Sequence, residues 1–258
     1  MNYPNLEELI KVIEILRSEN GCAWDREQTH SSLKRNMIEE AYEAVDAIDN
    51  NDPKHLQEEL GDVLLQVVLH SQIAKESKEF SIEDVAQRIK DKLIHRHPHV
   101  FSDVKVKDTN EILENWEKLK KQEKPHRTSV MDGVSKAQAA LMSAQKISKK
   151  AISVGFEWPS EDSLWDCVMS ELDEFKEAQT HEEKEEEMGD ILFAIVNLAR
   201  WNKIDAEQAL LKANKKFIKR FKTMEKMAQK ELETHSFDEW DCLWKKAKIA
   251  IKENKIKD

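Results

Sequence analysis

The feature that most limits what this chain can fold into is that its pattern occurs twice. Gly21-Cys22-Ala23-Trp24 returns as Gly155-Phe156-Glu157-Trp158, and each is followed by two acids three residues apart, Glu40 with Glu43 and then Glu171 with Glu174. Glu59-Leu60-Gly61-Asp62 returns as Glu187-Met188-Gly189-Asp190, Lys92 and Arg96 return as Lys216 and Arg220, and Trp116 with Lys120 returns as Trp244 with Lys248. The order is kept and the offsets stay between 124 and 134 residues. Such spacing is that of two copies of one structural unit. We therefore expect a first domain over 1–124, a linker over 125–135 where Pro125 and Gly133 interrupt the helical period, and a second domain over 136–258.

With 5 Gly and 5 Pro in 258 residues, turn-forming residues stand at roughly a third of their usual share, so each copy is expected to be all-α. The coarse reading is a leading helix, an irregular Trp-containing connection, two central helices bearing the acids, and further helices bearing the basic and Trp/Lys pairs. A helix is expected over 134–147, and a loop over 97–101 because Pro98 disfavours helix at His97. The net charge of -10 opposes nonspecific binding to polyanions, which sets aside nucleic acid and anionic membrane as partners. The longest apolar runs, near 63–69 and 191–196, fall short of the ~20 residues of a membrane helix. The start of the chain lacks the basic and apolar regions of a signal peptide. Cys22, Cys167 and Cys242 are scattered without CxxC spacing, so no disulfide frame or zinc site is indicated and a cytoplasmic location is expected.

Projection at about 100° per residue puts Glu59, Asp62 and Gln66 on one stripe of the second central helix, with Leu60, Val63, Leu64, Leu65, Val67, Val68 and Leu69 around it. Glu187, Asp190 and Asn197 form the matching stripe of the second copy. Such a helix is expected to be buried nearly all round. An ionised carboxylate there needs a positive partner, and no Lys or Arg lies within 59–69. On the preceding helix Glu40 and Glu43 flank Ile38, Ala41, Val45 and Ile48, as Glu171 and Glu174 flank Val168, Leu172 and Phe175. If the two helices pack antiparallel, the acids converge. Four oxygen donors per copy, with water completing the shell, suit Mg²⁺, with Mn²⁺ as the alternative, and not zinc. Gly61 and Gly189 sharpen that reading, because glycine inside a helix costs about 1 kcal/mol relative to alanine and is expected where another group approaches closely. The plain alternative, a solvated acidic face, is the reading for Glu39, Glu182, Glu183 and Glu185.

The basic pairs are less specific, since Lys and Arg at i, i+4 are neighbours on any helix. Beside a metal site, Lys216 and Arg220 become candidate clamps for phosphate oxygens, with Arg as a bidentate fork and Lys as a point charge. Trp24 and Trp158 are expected in the core, whereas Trp244, among Lys245, Lys246 and Lys248, is open to stacking. His97 and His99 read as loop residues closing hydrogen bonds. No GxxxxGK[ST] occurs, so phosphate binding does not rest on a glycine cradle.

The segments GCAWDREQTHSSLKRNMIEEAYE, EELGDVLLQVVLH and KLIHRHPHVF resemble the first domain of two-domain MazG proteins, all-α nucleoside triphosphate pyrophosphohydrolases; VGFEW, ELDEF, EMGDILFAIVNLAR and KANKKFIKRF resemble the second. The resemblance implies helical units that dimerise into a bundle, a homodimer, Mg²⁺ dependence, and hydrolysis of ribo- and deoxyribonucleoside triphosphates. By motif it implies that Glu171, Glu174, Glu187 and Asp190 hold magnesium, Lys216 and Arg220 the phosphates, and that Trp244 and Lys248 border the nucleotide. The second copy is the usual catalytic one, and the first keeps Glu40, Glu43, Glu59 and Asp62. There are departures: the expected helix at 134–147 lacks a Pro-containing start, and His95 stands where relatives often carry Arg. The mechanism expected is attack of a metal-activated water at the α-phosphorus, giving a nucleoside monophosphate and pyrophosphate. The rivals are a pyrophosphohydrolase of narrower substrate range and a helical regulator that binds nucleotide or a partner without turnover.

Overall fold

The computed structural model describes residues 3–123 and 128–254, and among these helices are the only regular secondary structure. The chain divides into two compact units, Met1–Pro125 and His126–Asp258. The first holds α1 (Pro4–Leu16), α2 (Ala23–Glu27), α3 (Lys34–Asp49), α4 (Pro53–Glu76), α5 (Ile82–Arg96), α6 (Pro98–Phe101) and α7 (Thr109–Gln122). The second holds α8 (Ala140–Ile152), α9 (Glu161–Glu177), α10 (His181–Trp201), α11 (Ala206–Met227) and α12 (Phe237–Asn254), with a 3₁₀ turn at Leu232–Thr234. In each unit the two acid-bearing helices form the most extensive pair, α3 on α4 and α9 on α10, and the basic helices α5 and α11 pack on the Trp-bearing α7 and α12.

Local chemistry sets the helix starts. Asp52 caps α4 by accepting from the Lys54 and His55 amides, both at 3.1 Å, with Pro53 at the first position. Thr180 and Glu183 form a reciprocal capping box at α10, as Ser81 and Asp84 do at α5. The long helices α4 and α10 both hand over to a left-handed lysine, Lys78 at φ 59° and Lys203 at φ 57°. In the second unit that turn is fastened to α8: the Gln145 amide donates to Ile204 O at 2.7 Å and accepts from Ala206 N at 3.1 Å.

The repeated glycine before each tryptophan is required for two different reasons. A Cβ at Gly21 would run into the carbonyl oxygens of Ile15 and Leu16, whereas Gly155 sits at φ +90° with open space around it. Both connections are pinned by a bidentate arginine–carboxylate pair with the roles reversed. Arg17 grips Glu76 at the end of α4 at 2.9 and 2.7 Å, and also donates to Asp25 O and Gln28 O. Arg200 at the end of α10 grips Glu157 in the connection at 2.8 and 2.7 Å.

Several expectations are corrected. Pro98 opens the short helix α6 as its first residue, a position where its missing N–H is no loss, so only His97 is irregular, at φ -119° and ψ 55°. The helix expected over 134–147 begins at Ala140 instead. Residues 125–127 of the expected linker lie outside the described residues, as does Lys124 before it; at 128–135 Asp132 accepts from the Thr128 and Ser129 amides, and Lys150 of α8 donates to Val130 O at 2.8 Å. Trp24 is not core: it is 59% exposed. The central helices are not covered all round. Within the first unit Val68, Leu69 and Ile73 join Ile13 and Leu33 in the core, while Leu60 and Leu64 face outward. On α3 the buried residues are the small Ala44 and Ala47, and Ile38 and Ile48 of the expected inner stripe are exposed. Leu192 and Ile195 of α10 are exposed likewise.

Candidate active site

The helical pairing α9 on α10 places one carboxylate oxygen each of Glu171, Glu187 and Asp190 within 4.8 Å of one another. Residues three apart on one helix share a face, so Glu187 and Asp190 come from one turn of α10 and Glu171 faces them from α9. Glu174 stands just outside this triad, with Oε1 accepting from the Ser170 hydroxyl at 2.9 Å. It remains electrostatically part of the group. Burial pushes the Glu187 carboxyl above its ordinary value, and the charges of Glu174, Asp190 and Glu171 push the same way. The Cys167 thiol lies 3.7 Å from Glu171 Oε1, and burial with the Glu171 charge raises it, so it stays a neutral thiol.

The first unit repeats the arrangement with a different membership. Glu40, Glu43 and Glu59 offer oxygens within 4.8 Å of one another, and Asp62 lies outside that trio while still raising the Glu40 carboxyl, after the larger effect of burial. Burial and then Glu59 raise Glu43 as well. Glu59 is only 6% exposed. Its Oε1 lies 2.8 Å from His55 Nε2, and its buried Oε2 has no hydrogen-bond partner. An orphaned buried carboxylate oxygen facing two further carboxylates is an environment that a divalent cation satisfies and that a solvated face does not provide. These residues fit the oxygen-rich shell of a hard cation.

Not every residue of the stripes belongs to the site. Asn197 is 1% exposed; its Oδ1 accepts from the Ser148 hydroxyl at 2.5 Å and its amide donates to Phe193 O at 2.9 Å. It fastens α10 to α8. Neither Gly61 nor Gly189 is approached: nothing lies within 4 Å of a Cβ placed there. The bare backbone faces open space beside the acids, which leaves room for a group that the chain itself does not supply.

The second conspicuous cluster of the second unit is basic. Lys216, Arg220 and Lys248, with Lys215, Lys219, Ile251 and Lys252, line a groove of about 370 Å³ where α11 meets α12. Trp244 packs at this junction, 5.1 Å from the Phe217 ring, with the Arg220 guanidinium 5.6 Å over its face. Among the described residues no carboxylate forms an ion pair with Lys216, Arg220 or Lys248. The predicted clamp residues are thus gathered as a set, separate from the carboxylate triad.

A family profile for the MazG nucleotide pyrophosphohydrolase domain matches this chain twice, over residues 28–101 and 159–225. The chain is 46% identical over 246 residues to the nucleoside triphosphate pyrophosphohydrolase/pyrophosphatase MazG of Thermotoga maritima, covering 94% of this chain and 95% of that one. The chain belongs to the MazG family. The nucleoside triphosphate pyrophosphohydrolase of Escherichia coli K12 is 43% identical over 230 residues, 86% of this chain and 88% of that one. YabN of Bacillus subtilis is 47% identical over 254 residues, which is 95% of this chain and 52% of that longer protein. The two MazG matches take in all eight motif acids together with Lys92, Arg96, Lys216 and Arg220, while Trp244 and Lys248 fall beyond the second match.

Three residues that touch the acids of the two clusters were not singled out for them in the sequence. Ser170 and His55 each stand four residues before a motif acid, Glu174 and Glu59, so the i, i+4 helical spacing carried a signal. Cys167 stands four before Glu171 in the same way. His30 and His70 also meet, Nδ1 to Nδ1 at 2.7 Å, a contact across 40 residues that no local pattern announces.

Proposed function

We propose that the protein hydrolyses nucleoside triphosphates to nucleoside monophosphate and pyrophosphate in its second unit. The observation that carries the reading is the pairing, within one small unit, of a converged carboxylate triad with a basic groove in which Lys216, Arg220 and Lys248 form no ion pair with a carboxylate among the described residues. Glu171, Glu187 and Asp190 would hold Mg²⁺, with Mn²⁺ as a substitute, and the ion would supply charge neutralisation and an acidified water. Lys216 and Arg220 bind the β- and γ-phosphate oxygens, Arg220 held in orientation by its stacking on Trp244, and Lys248 and Trp244 border the nucleoside. Glu174, outside the triad and held by Ser170, accepts the proton of the attacking water. The water oxygen bonds to the α-phosphorus in line as the bond to the α,β-bridging oxygen breaks, and pyrophosphate departs. The first unit carries a second candidate cation site at Glu40, Glu43 and Glu59, with Asp62 beside it.

A homodimer completes this reading. Ile38, Ile48, Leu60 and Leu64 in the first unit, and Trp165, Met169, Leu192 and Ile195 in the second, are large apolar residues left exposed on the same helices that carry the acids. An apolar face of that extent on a helix pair is covered in a stable bundle, and a second copy supplies the same face in return.

The test is pyrophosphate release from the eight standard nucleoside triphosphates with Mg²⁺ or with EDTA, for the wild type, Glu59→Ala and Glu187→Ala. Metal-dependent release of pyrophosphate and monophosphate, lost only in Glu187→Ala, supports the assignment. Nucleotide binding with no pyrophosphate from any substrate refutes it and favours the regulator.

A further inference from the structure

The two basic constellations, built from matching residues, end in opposite states. In the second unit Arg220 stacks on Trp244 at 5.6 Å beside a groove lined by lysines and Ile251. In the first unit Arg96 stacks on Trp116 at 5.1 Å, so the arginine–tryptophan frame is kept. Here, however, the guanidinium is filled. Arg96 grips Glu123 with Nε to Oε1 at 2.9 Å and a second, shorter bond from its terminal nitrogen to Oε2. Arg96 is 6% exposed as a result.

The register between the copies makes the comparison specific. Trp116 matches Trp244 and Lys120 matches Lys248, so in the same register Glu123, just past the end of α7, matches Ile251 of α12, which is one of the residues lining the open groove. Lys92 and Arg96 match Lys216 and Arg220, and His95 matches Lys219. The positive charges felt by Glu123 come from this same set. Hydrogen bonds from Arg96 hold its carboxyl below the usual range against the opposing effect of burial, and His95 and Lys92 act in the same direction. A carboxylate therefore lies on Arg96 in the field of Lys92 and His95, with the bidentate geometry that a phosphate takes on an arginine fork.

We propose that Glu123 is a built-in occupant of the anion site of the first unit, standing where a substrate phosphate stands on Lys216 and Arg220 in the second. The proposal rests on the reading of Lys216 and Arg220 as the phosphate clamp. Its consequence is that the first unit, with its carboxylate trio intact, does not take up triphosphate. A tethered ligand competes at an effective concentration on the order of millimolar or above, so a nucleotide below that range does not displace it. At the arginine fork the two copies thus differ by the residue that fills it, and replacing Glu123 by the residue of the other copy opens the site.

The experiment is calorimetric titration of the full chain with α,β-methylene-ATP and Mg²⁺, an analogue whose α,β linkage resists hydrolysis. The wild type is expected to bind one analogue per chain, Lys216→Ala/Arg220→Ala none, and the same double variant carrying Glu123→Ile one again, at an affinity within about tenfold of the wild type. Glu123→Gln is run in parallel: it keeps the shape but removes the charge, so it also restores binding if Glu123→Ile loses helical signal by circular dichroism. No binding after either Glu123 change, with helical content kept, makes the Arg96–Glu123 pair structural only and overturns the proposal. Binding of two analogues by the wild type overturns it too. If the Lys216→Ala/Arg220→Ala chain still binds one, Arg96→Ala is added. Loss of binding then shows the first site open already and overturns the proposal alone, whereas retained binding shows that the nucleotide sits elsewhere and removes the clamp reading with it.

Discussion

Asn197 shares a helix with Glu187 and Asp190 and looks like a site residue in projection, yet its contacts are all structural, and that difference is measurable. In Asn197→Ala the Ser148 hydroxyl, buried with Asn197, loses the acceptor it meets at 2.5 Å. An unsatisfied buried hydroxyl costs about 1–3 kcal/mol, and the small cavity left by the amide adds about 1 kcal/mol. The Phe193 carbonyl keeps its place in the helix ladder and adds little. The expected loss is about 3 kcal/mol, read from urea unfolding of the full chain followed by circular dichroism. Pyrophosphate release per folded molecule and its Mg²⁺ dependence should stay within about twofold of wild type, a difference below 0.5 kcal/mol. Ser148→Ala/Asn197→Ala should cost less than the sum of the two single changes by about 1 kcal/mol or more, because both partners are then gone. A loss below about 0.5 kcal/mol, the level of an ordinary surface change, or a shifted Mg²⁺ requirement in a stable variant, refutes the reasoning.

Two further outcomes follow from the same geometry. Burial and its acidic neighbours raise the Glu187 carboxyl above its ordinary 4.5 in the folded state; a carboxyl so raised contributes stability that is present below that ordinary value and lost as pH rises through the folded one. The metal-free protein should therefore melt lower at neutral pH than under mild acid, Mg²⁺ should recover the difference, and Glu187→Gln should raise the metal-free melting temperature while weakening the Mg²⁺ effect; scanning calorimetry at several pH values with EDTA or Mg²⁺ decides it, and a Glu187→Gln protein that melts lower than wild type in EDTA contradicts it. Leu192 is half exposed on α10, so Leu192→Glu should change the stability of a lone chain by no more than about 0.5 kcal/mol while splitting a homodimer into monomers by sedimentation; an unchanged mass removes that face from the interface.

Much of the fold was legible because its determinants are local. Helices follow from scarce Gly and Pro and from caps such as Asp52, Thr180 and Ser81, which lie within three residues of the amides they serve. The acids at i, i+3 were legible for the same reason. What misled was covering: Leu60, Leu64, Ile38 and Ile48 looked like core because an apolar side chain is written identically whether it faces the interior of its own unit or the surface of that unit. Trp24 misled in the same way. Pro98 was read as a break although the first turn of a helix accepts proline readily.

The sequence by itself determined that there are two copies of one helical unit, that each carries paired carboxylates on adjacent helices and a basic pair beside a tryptophan, and that the chain is similar to one family throughout. Repetition and helical period are properties of neighbouring residues, so they survive without coordinates. Only the tertiary structure decided which acids meet, leaving Glu174 on Ser170 and giving Glu59 to His55, and only it turned Asn197 toward Ser148, 49 residues away. The state of each basic cluster was decided there too, since Arg96 and Glu123 are 27 residues apart and nothing in the spacing of either announces the other. Long-range pairs of this kind depend on how helices pack, and packing is set by the sum of many small apolar contacts rather than by any motif.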